Sequence, residues 1–165
     1  MPEPSMDVSD PARSLKLARL LALLLPAGLL IGAYGSQYIG GLYPCEMCWW
    51  QRWPHFAAVV LAGLAFTAPA TAPRARLLTG LAALAIAISG AIGLFHAGVE
   101  YGWWEGLTTC TGGAASLEEL MKAPLIRCDQ AAWTLAGISL AGFNAIISLG
   151  GAAFVAVLLG KGRRG

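Results

Sequence analysis

Charge is what this sequence has least of. Asp, Glu, Lys and Arg make up 12% of its 165 residues, whereas a soluble globular domain carries about 25%. A surface so poor in charge cannot be dressed for water. An excess of one sign is missing too, since 11 basic residues face 9 acidic ones for a net charge of +2. The basic residues are scattered rather than forming a patch, which argues against a nucleic-acid binder. The low hydrophobicity that disorder requires is also absent. Hydrophobic residues make up 57% of the chain, and mean hydropathy is +0.64.

The placement of charges says more than their number. Four stretches have none: residues 20–45, 53–73, 77–99 and 130–160. A membrane helix needs about 20 mostly apolar residues at about 1.5 Å rise each. All four stretches are long enough. One alone could be a buried helix of a soluble protein; four in a short chain predict an integral membrane protein. The expected fold class is all-α, a four-helix bundle with spans near 17–38, 52–69, 77–97 and 135–158. Tails of 1–14 and 161–165 and loops of 39–51 and 98–134 complete it.

Topology follows from the basic residues. Arg13, Lys16 and Arg19 precede the first span, Arg74 and Arg76 separate the second from the third, and Lys161, Arg163 and Arg164 follow the fourth. Eight of the 11 basic residues thus fall on one side, which should be cytoplasmic. Both termini are expected there, with two loops outside. The first span reads as retained rather than as a cleaved signal peptide. Glu3, Asp7 and Asp10 precede it, and it is long for a signal core.

All four cysteines fall on the outer side. Cys45 and Cys48 lie before the second span, and Cys110 and Cys128 lie in the second outer loop. Disulfides persist in oxidising compartments, so an even count there reads as two bridges. Three connectivities are open. The i, i+3 spacing favours Cys45 with Cys48, leaving Cys110 with Cys128.

A bridge between Cys45 and Cys48 closes a tiny loop and adds little by loop entropy. Its usual use is redox, one thiolate attacking and the other resolving. Pro44 precedes the pair and an apolar helix follows. Helix N-termini favour the thiolate, and Arg52 lies one turn beyond Cys48. A c-type haem site needs His after the second Cys, but residue 49 is Trp. A thioredoxin-type site needs a soluble βαβ setting for which the chain has no room. A Cys₄ zinc site usually has two close pairs, and Cys110 and Cys128 are too far apart for a second knuckle. Between them, Ser116 to Met121 reads as a short capped helix, with Glu119 completing the capping box.

The stretch Pro44-Cys45-Glu46-Met47-Cys48-Trp49-Trp50-Gln51-Arg52 resembles the first-loop signature of the DsbB family of disulfide bond formation proteins. Phe95-His96-Ala97-Gly98-Val99-Glu100 and Arg127-Cys128-Asp129 resemble the family as well. The likeness extends over roughly residues 15 to 160. It implies a bacterial inner-membrane thiol oxidase with two periplasmic loops. A reduced thioredoxin-fold oxidase of the DsbA type would attack the disulfide of Cys110 and Cys128 at Cys110. Cys128 would exchange with Cys45 and Cys48, and that pair would pass two electrons to a membrane quinone, ubiquinone or menaquinone. The partners implied are that oxidase, the quinone pool and the lipid bilayer. Arg52 and His96 would bind the quinone, and no metal is implied.

Gln51 stands where the best-known member carries an acidic residue, and the resemblance gives His55 no role. Trp49, Trp50, Trp53, Trp103, Trp104 and Trp133 are expected to form an interfacial belt, with one of them free to stack on the ring. Asn144, with Ser139 and Ser148 nearby, and the pair Gly28 and Gly32 read as helix-packing positions. A reading of another class stays open: a structural or partner-binding four-span protein whose disulfides only staple its loops.

Overall fold

A computed structural model of the protein describes residues 10–107 and 127–162. Cys110 and the expected short helix at 116–121 lie outside the described residues. Within them are four helices, α1 Pro11–Tyr38, α2 Glu46–Ala65, α3 Pro73–Glu100 and α4 Leu140–Lys161. A hairpin of β1 Thr134–Leu135 and β2 Ile138–Ser139 precedes α4.

Local chemistry sets the helix starts. Asp10 caps α1, its carboxylate accepting from Ala12 N at 3.0 Å, and Pro11 follows in the first turn. Pro73 opens α3. Ser139 caps α4 by accepting from Gly142 N at 3.1 Å. α4 therefore begins later than the expected span near 135. The intervening residues form a two-residue turn, with Ala136 and Gly137 at φ 51° and 79°, the left-handed geometry that tight hairpins need. Tyr101 ties this hairpin to the end of α3, its hydroxyl donating to Gly137 O and accepting from Ser139 N, each at 3.0 Å.

The helices pack in a ring. α3 touches α2 and α4 most extensively, α1 touches α2 and α4, and α1 and α3 lie across the diagonal. The close approach of α3 to α4 depends on small residues. A Cβ added to Gly93 would lie 2.9 Å from Asn144 Nδ2 and 3.0 Å from Ala141 O, and one at Gly90 would lie 2.8 Å from Leu149 Cγ.

The burial pattern is inverted relative to a water-soluble bundle. Leu24, Ile31, Val60, Leu77, Ile146 and Phe154 are exposed, while Ala18, Ala22, Ala58, Ala62, Ala82 and Ala145 are buried. Bulk outward and small residues inward suit helices that gain packing inside and meet hydrocarbon outside. Three helices, α1, α3 and α4, are long and apolar enough to cross a membrane. α2 is not among them, because its first three turns carry Gln51, Arg52, Pro54 and His55.

The two ends of the ring differ. An alanine-rich core with Ile86, Val155 and Leu158 fills one end. There Arg19 donates to the carbonyls of Ala65 and Ala68 at 3.1 and 2.7 Å, and Arg76 donates to Gly162 O at 3.0 Å. These guanidiniums satisfy helix C-terminal carbonyls and oppose the negative dipole ends. The other end is polar inside and holds both cysteines of the first pair.

Candidate functional site

Cys45 is the N-cap of α2. Its sulfur accepts from Cys48 N at 3.2 Å, and the two sulfurs stand 2.7 Å apart. The spacing of two intervening residues produces this directly, because the cap and the third helical residue face each other across the first turn. The expected bridge is not formed here: both are free thiols, Cys45 buried and Cys48 partly exposed. Cys128 is disulfide-bonded.

The two thiols are not equivalent. Both precede the expected span at 52. The hydrogen bond to Cys48 and burial push the Cys45 thiol up, so it keeps its proton. The same bond from Cys45 holds Cys48 below the ordinary thiol value, helped by the backbone amide bond to Cys45 and, more weakly, by the charge of Arg52. Cys48 is therefore the more readily ionised of the two, with Cys45 placed to donate to it. Reduced protein should accordingly alkylate first at Cys48, with a midpoint below the usual thiol value of about 8.5. Iodoacetamide labelling against pH, read by peptide mapping, checks this; first labelling at Cys45 would contradict it.

Arg52, one turn beyond Cys48, is buried and held on four sides. It donates to Gln37 Oε1 at 2.7 Å and to Ala33 O at 3.2 Å. Its guanidinium carbon also lies 4.9 Å from the ring centroids of Tyr34 and Trp49.

His96, on the last turns of α3, meets the pair from the other side, its Nε2 lying 3.6 Å from Cys45 Sγ and 3.7 Å from Glu100 Oε1. Its Nδ1 lies 2.9 Å from Gln51 Nε2. Gln51 Nε2 also donates to the carbonyl of Met47 at 3.1 Å, which fixes that end of the amide as nitrogen. Nδ1 of His96 must then accept, and Nε2 carries the ring proton toward Cys45.

Cys128 joins the same place. It is buried in one cluster with Cys45, Met47 and Val99, with Cys48 and Phe95 packed against it. Its backbone hydrogen-bonds His96. Arg127 and Asp129 flank it as an exposed forked pair, with contacts of 2.9 and 2.6 Å.

Beside the thiols lies a cavity of about 260 Å³. Cys48, Gln51, Arg52, His55, His96, Glu100 and Asn144 supply most of its polar lining. The remaining walls are mostly apolar and come from α1, α4 and residues 42–44, with Trp133 at the rim. Gly28 and Gly32 belong to those walls. A Cβ at either would meet nothing within 4 Å, so the expected helix-packing role is overturned and their smallness keeps the cavity open. Asn144 is likewise more than a packing residue, since it bonds Gln51, Ser89 and Ser148 across three helices. The tryptophans form local groups: Trp49 with Trp53, and Trp103 with Trp104, which stacks on Phe95.

The sequence model of disulfide bond formation protein DsbB matches residues 15–158. This chain belongs to the DsbB family. Comparison with curated proteins finds no match, and neither does comparison with solved structures. As a DsbB-family chain it is a disulfide-forming oxidoreductase of the membrane. The match takes in all four helices almost entirely and all four cysteines. Cys45, Cys48 and His96 also bring three ligand atoms within 4.8 Å of one another. Structural zinc takes four ligands, and among the described residues this group has three.

Arg52 and His96, which the family resemblance singles out, both line the cavity beside the thiols, together with Gln51 and His55, to which it gives no role. The signal for His55 and Asn144 is their polarity inside apolar stretches, which marks interior-facing positions in a membrane bundle; Gln51, at the end of the expected loop, carries no such signal.

Proposed function

We propose that this DsbB-family protein is a periplasm-facing thiol oxidase of the bacterial inner membrane. It would reoxidise a thioredoxin-fold dithiol oxidase and deliver the electrons to a quinone in the cavity beside Cys48. Both termini would be cytoplasmic, with α2 from Arg52 onward as a fourth span held among the three more apolar helices. The observation that carries the reading is the placement of one polarised thiol pair between Cys128 and a largely apolar cavity lined by Arg52.

The cavity fits a quinone on its own chemistry. Apolar walls suit a ring and an isoprenoid tail, and the polar side offers the remaining guanidinium N–H groups of Arg52 as donors. Two buried polar atoms there, His55 Nδ1 and Glu100 Oε2, have no protein partner. A bound quinone supplies a two-electron, two-proton acceptor.

The residues would then act in order. The partner's dithiol reduces the bridge of Cys110 and Cys128 and leaves as a disulfide. Cys128, packed against Cys45, attacks the bridge of Cys45 and Cys48 at Cys45, and Cys48 departs as the favoured thiolate. Closure of Cys110 on Cys128 releases Cys45. Free thiols at 45 and 48 with Cys128 bridged correspond to this charged stage. Loss of two electrons and two protons from Cys45 and Cys48 restores their disulfide. Arg52 stabilises the negative charge at Cys48, and His96 holds its Nε2 proton beside Cys45.

The alternative in which the cysteines only staple loops fits poorly. Two of them are unbridged, Cys45 buried and Cys48 lining the cavity, rather than closing a loop.

Purified protein in detergent, a soluble quinone and a reduced thioredoxin-fold oxidase test the proposal. One quinone should be consumed per dithiol oxidised, followed by quinone absorbance. Cys110→Ser should abolish the coupled reaction. Turnover that survives Cys110→Ser would remove the second pair from the route, and absence of turnover with every quinone and partner would favour the structural alternative.

A further inference from the structure

The cavity has a second polar corner, deeper than the thiols. Cys48, Arg52 and His55 recur at i, i+4 and i+7 on one face of α2. His55 lines the same cavity and is only 3% exposed. Its Nε2 lies 3.0 Å from Asn144 Oδ1 and 2.9 Å from Ser89 Oγ.

The proton on this ring can be placed. Asn144 Nδ2 donates to Gln51 Oε1 at 2.8 Å and to the carbonyl of Ser89 at 3.2 Å. A carbonyl only accepts, so that end of Asn144 is nitrogen and the end facing His55 is oxygen. Ser148 Oγ donates to this same oxygen at 2.8 Å. Ser89 Oγ donates to Gln51 O at 2.8 Å, leaving its lone pairs toward His55. Two acceptors therefore hold the proton on Nε2. In the neutral ring Nδ1 is a bare lone pair, and it is buried with no partner. An unmet buried acceptor is costly, so this corner is built to receive a donor.

We propose that His55 recognises the reduced form of the bound ring, its Nδ1 accepting a hydrogen bond from a quinol hydroxyl. The inference rests on the quinone reading of the cavity and deepens it. A quinone offers only carbonyl acceptors, and a lone pair gains nothing from another. Once Cys45 and Cys48 have given up two electrons and two protons, both carbonyls of the ring have become hydroxyls. Arg52 and His55 lie three residues apart on the face of α2 that lines the cavity, so one bound ring can meet both side chains, Arg52 at one oxygen and His55 at the other. Tighter binding of the reduced form makes the bound couple a stronger oxidant than the free one, by about 30 mV for each tenfold in affinity ratio. This pulls electrons from the thiols.

The test measures binding rather than turnover. Full-length protein in nanodiscs, carrying Cys45→Ser and Cys48→Ser so that no electrons move, is titrated with a short-chain benzoquinone and with its quinol under anaerobic conditions. The parent should bind the quinol roughly tenfold more tightly. His55→Gln keeps an amide nitrogen toward Asn144 but offers nothing at the Nδ1 position. It should lose the preference to within about twofold while quinone affinity holds. His55→Asn, whose amide occupies the Nδ1 position, should keep part of it. A merely structural role would give the reverse order, with His55→Gln normal and His55→Asn impaired, and would overturn the proposal. Equal loss of both redox forms in both variants would overturn it too, as would a parent that binds the two forms equally. A parent that binds neither form sinks the quinone reading itself.

Discussion

Cys48→Ser should abolish quinone reduction and, combined with Cys110→Ser, trap a link between Cys45 and Cys128. The loss should be at least about 10³-fold, the scale of removing an essential nucleophile. The trapped species follows from position. Cys128 is buried in the same cluster as Cys45, whereas Cys48 opens onto the cavity. Cys48 is also the better leaving group, because its thiol lies below the ordinary value and that of Cys45 above it. Exchange through Cys45 therefore releases the stabilised thiolate where Arg52 can meet it. Without Cys48 only Cys110 can still break this link, by closing on Cys128, so the link persists once Cys110→Ser is added. Non-reducing peptide mapping after exposure to oxidised partner would detect the link. Cys45→Ser should be equally inactive but should not accumulate a link between Cys48 and Cys128. Equal linkage in both variants would show that Cys128 reaches either sulfur and would remove the assigned order.

Arg52→Met should cost about 10²-fold in turnover, in the range found when one preorganised charge-stabilising donor is deleted. Arg52 is 6% exposed, so solvent cannot replace it. The variant strands Gln37 Oε1 and Ala33 O without their donor and leaves Tyr34 and Trp49 without a cation between them. Arg52→Lys keeps a charge but cannot form both bonds and cover both rings at once, so an intermediate loss of about tenfold is expected. The Cys48 titration separates electrostatics from packing. Arg52 lowers that thiol, so Arg52→Met must move the alkylation midpoint of Cys48 upward, and Arg52→Lys should largely restore it. An unmoved midpoint with lost turnover would make Arg52 a packing residue.

Much of this site was readable along the chain because its parts are local. A Cys-x-x-Cys after Pro44 places one sulfur at a helix cap and the other in its first turn, whatever the rest of the fold does. Arg52 is one helical turn further and must share the face of Cys48. His96 was legible through the stretch Phe95 to Glu100 and its place at the end of a charge-free run. The hairpin before α4 was not. Leu135-Ala136-Gly137-Ile138 is apolar and continuous with the helix, and only the hydrogen bonds of Tyr101 show why the chain turns there.

Membrane character and the close cysteine pair are legible in the amino-acid sequence alone. Both rest on spacing within single segments: charge-free runs long enough to cross a bilayer, and cysteines one turn apart. The tertiary structure alone decided which polar residues meet. Gln51 and Asn144 are 93 positions apart and His55 and Ser89 are 34 apart, and helical periodicity gives each a face but not a neighbour. It also decided that Gly28 and Gly32 open a cavity rather than close a contact, and that Cys128 rests on Cys45. Periodicity orients residues about one axis, whereas a cavity and a relay exist only where several axes are set against one another.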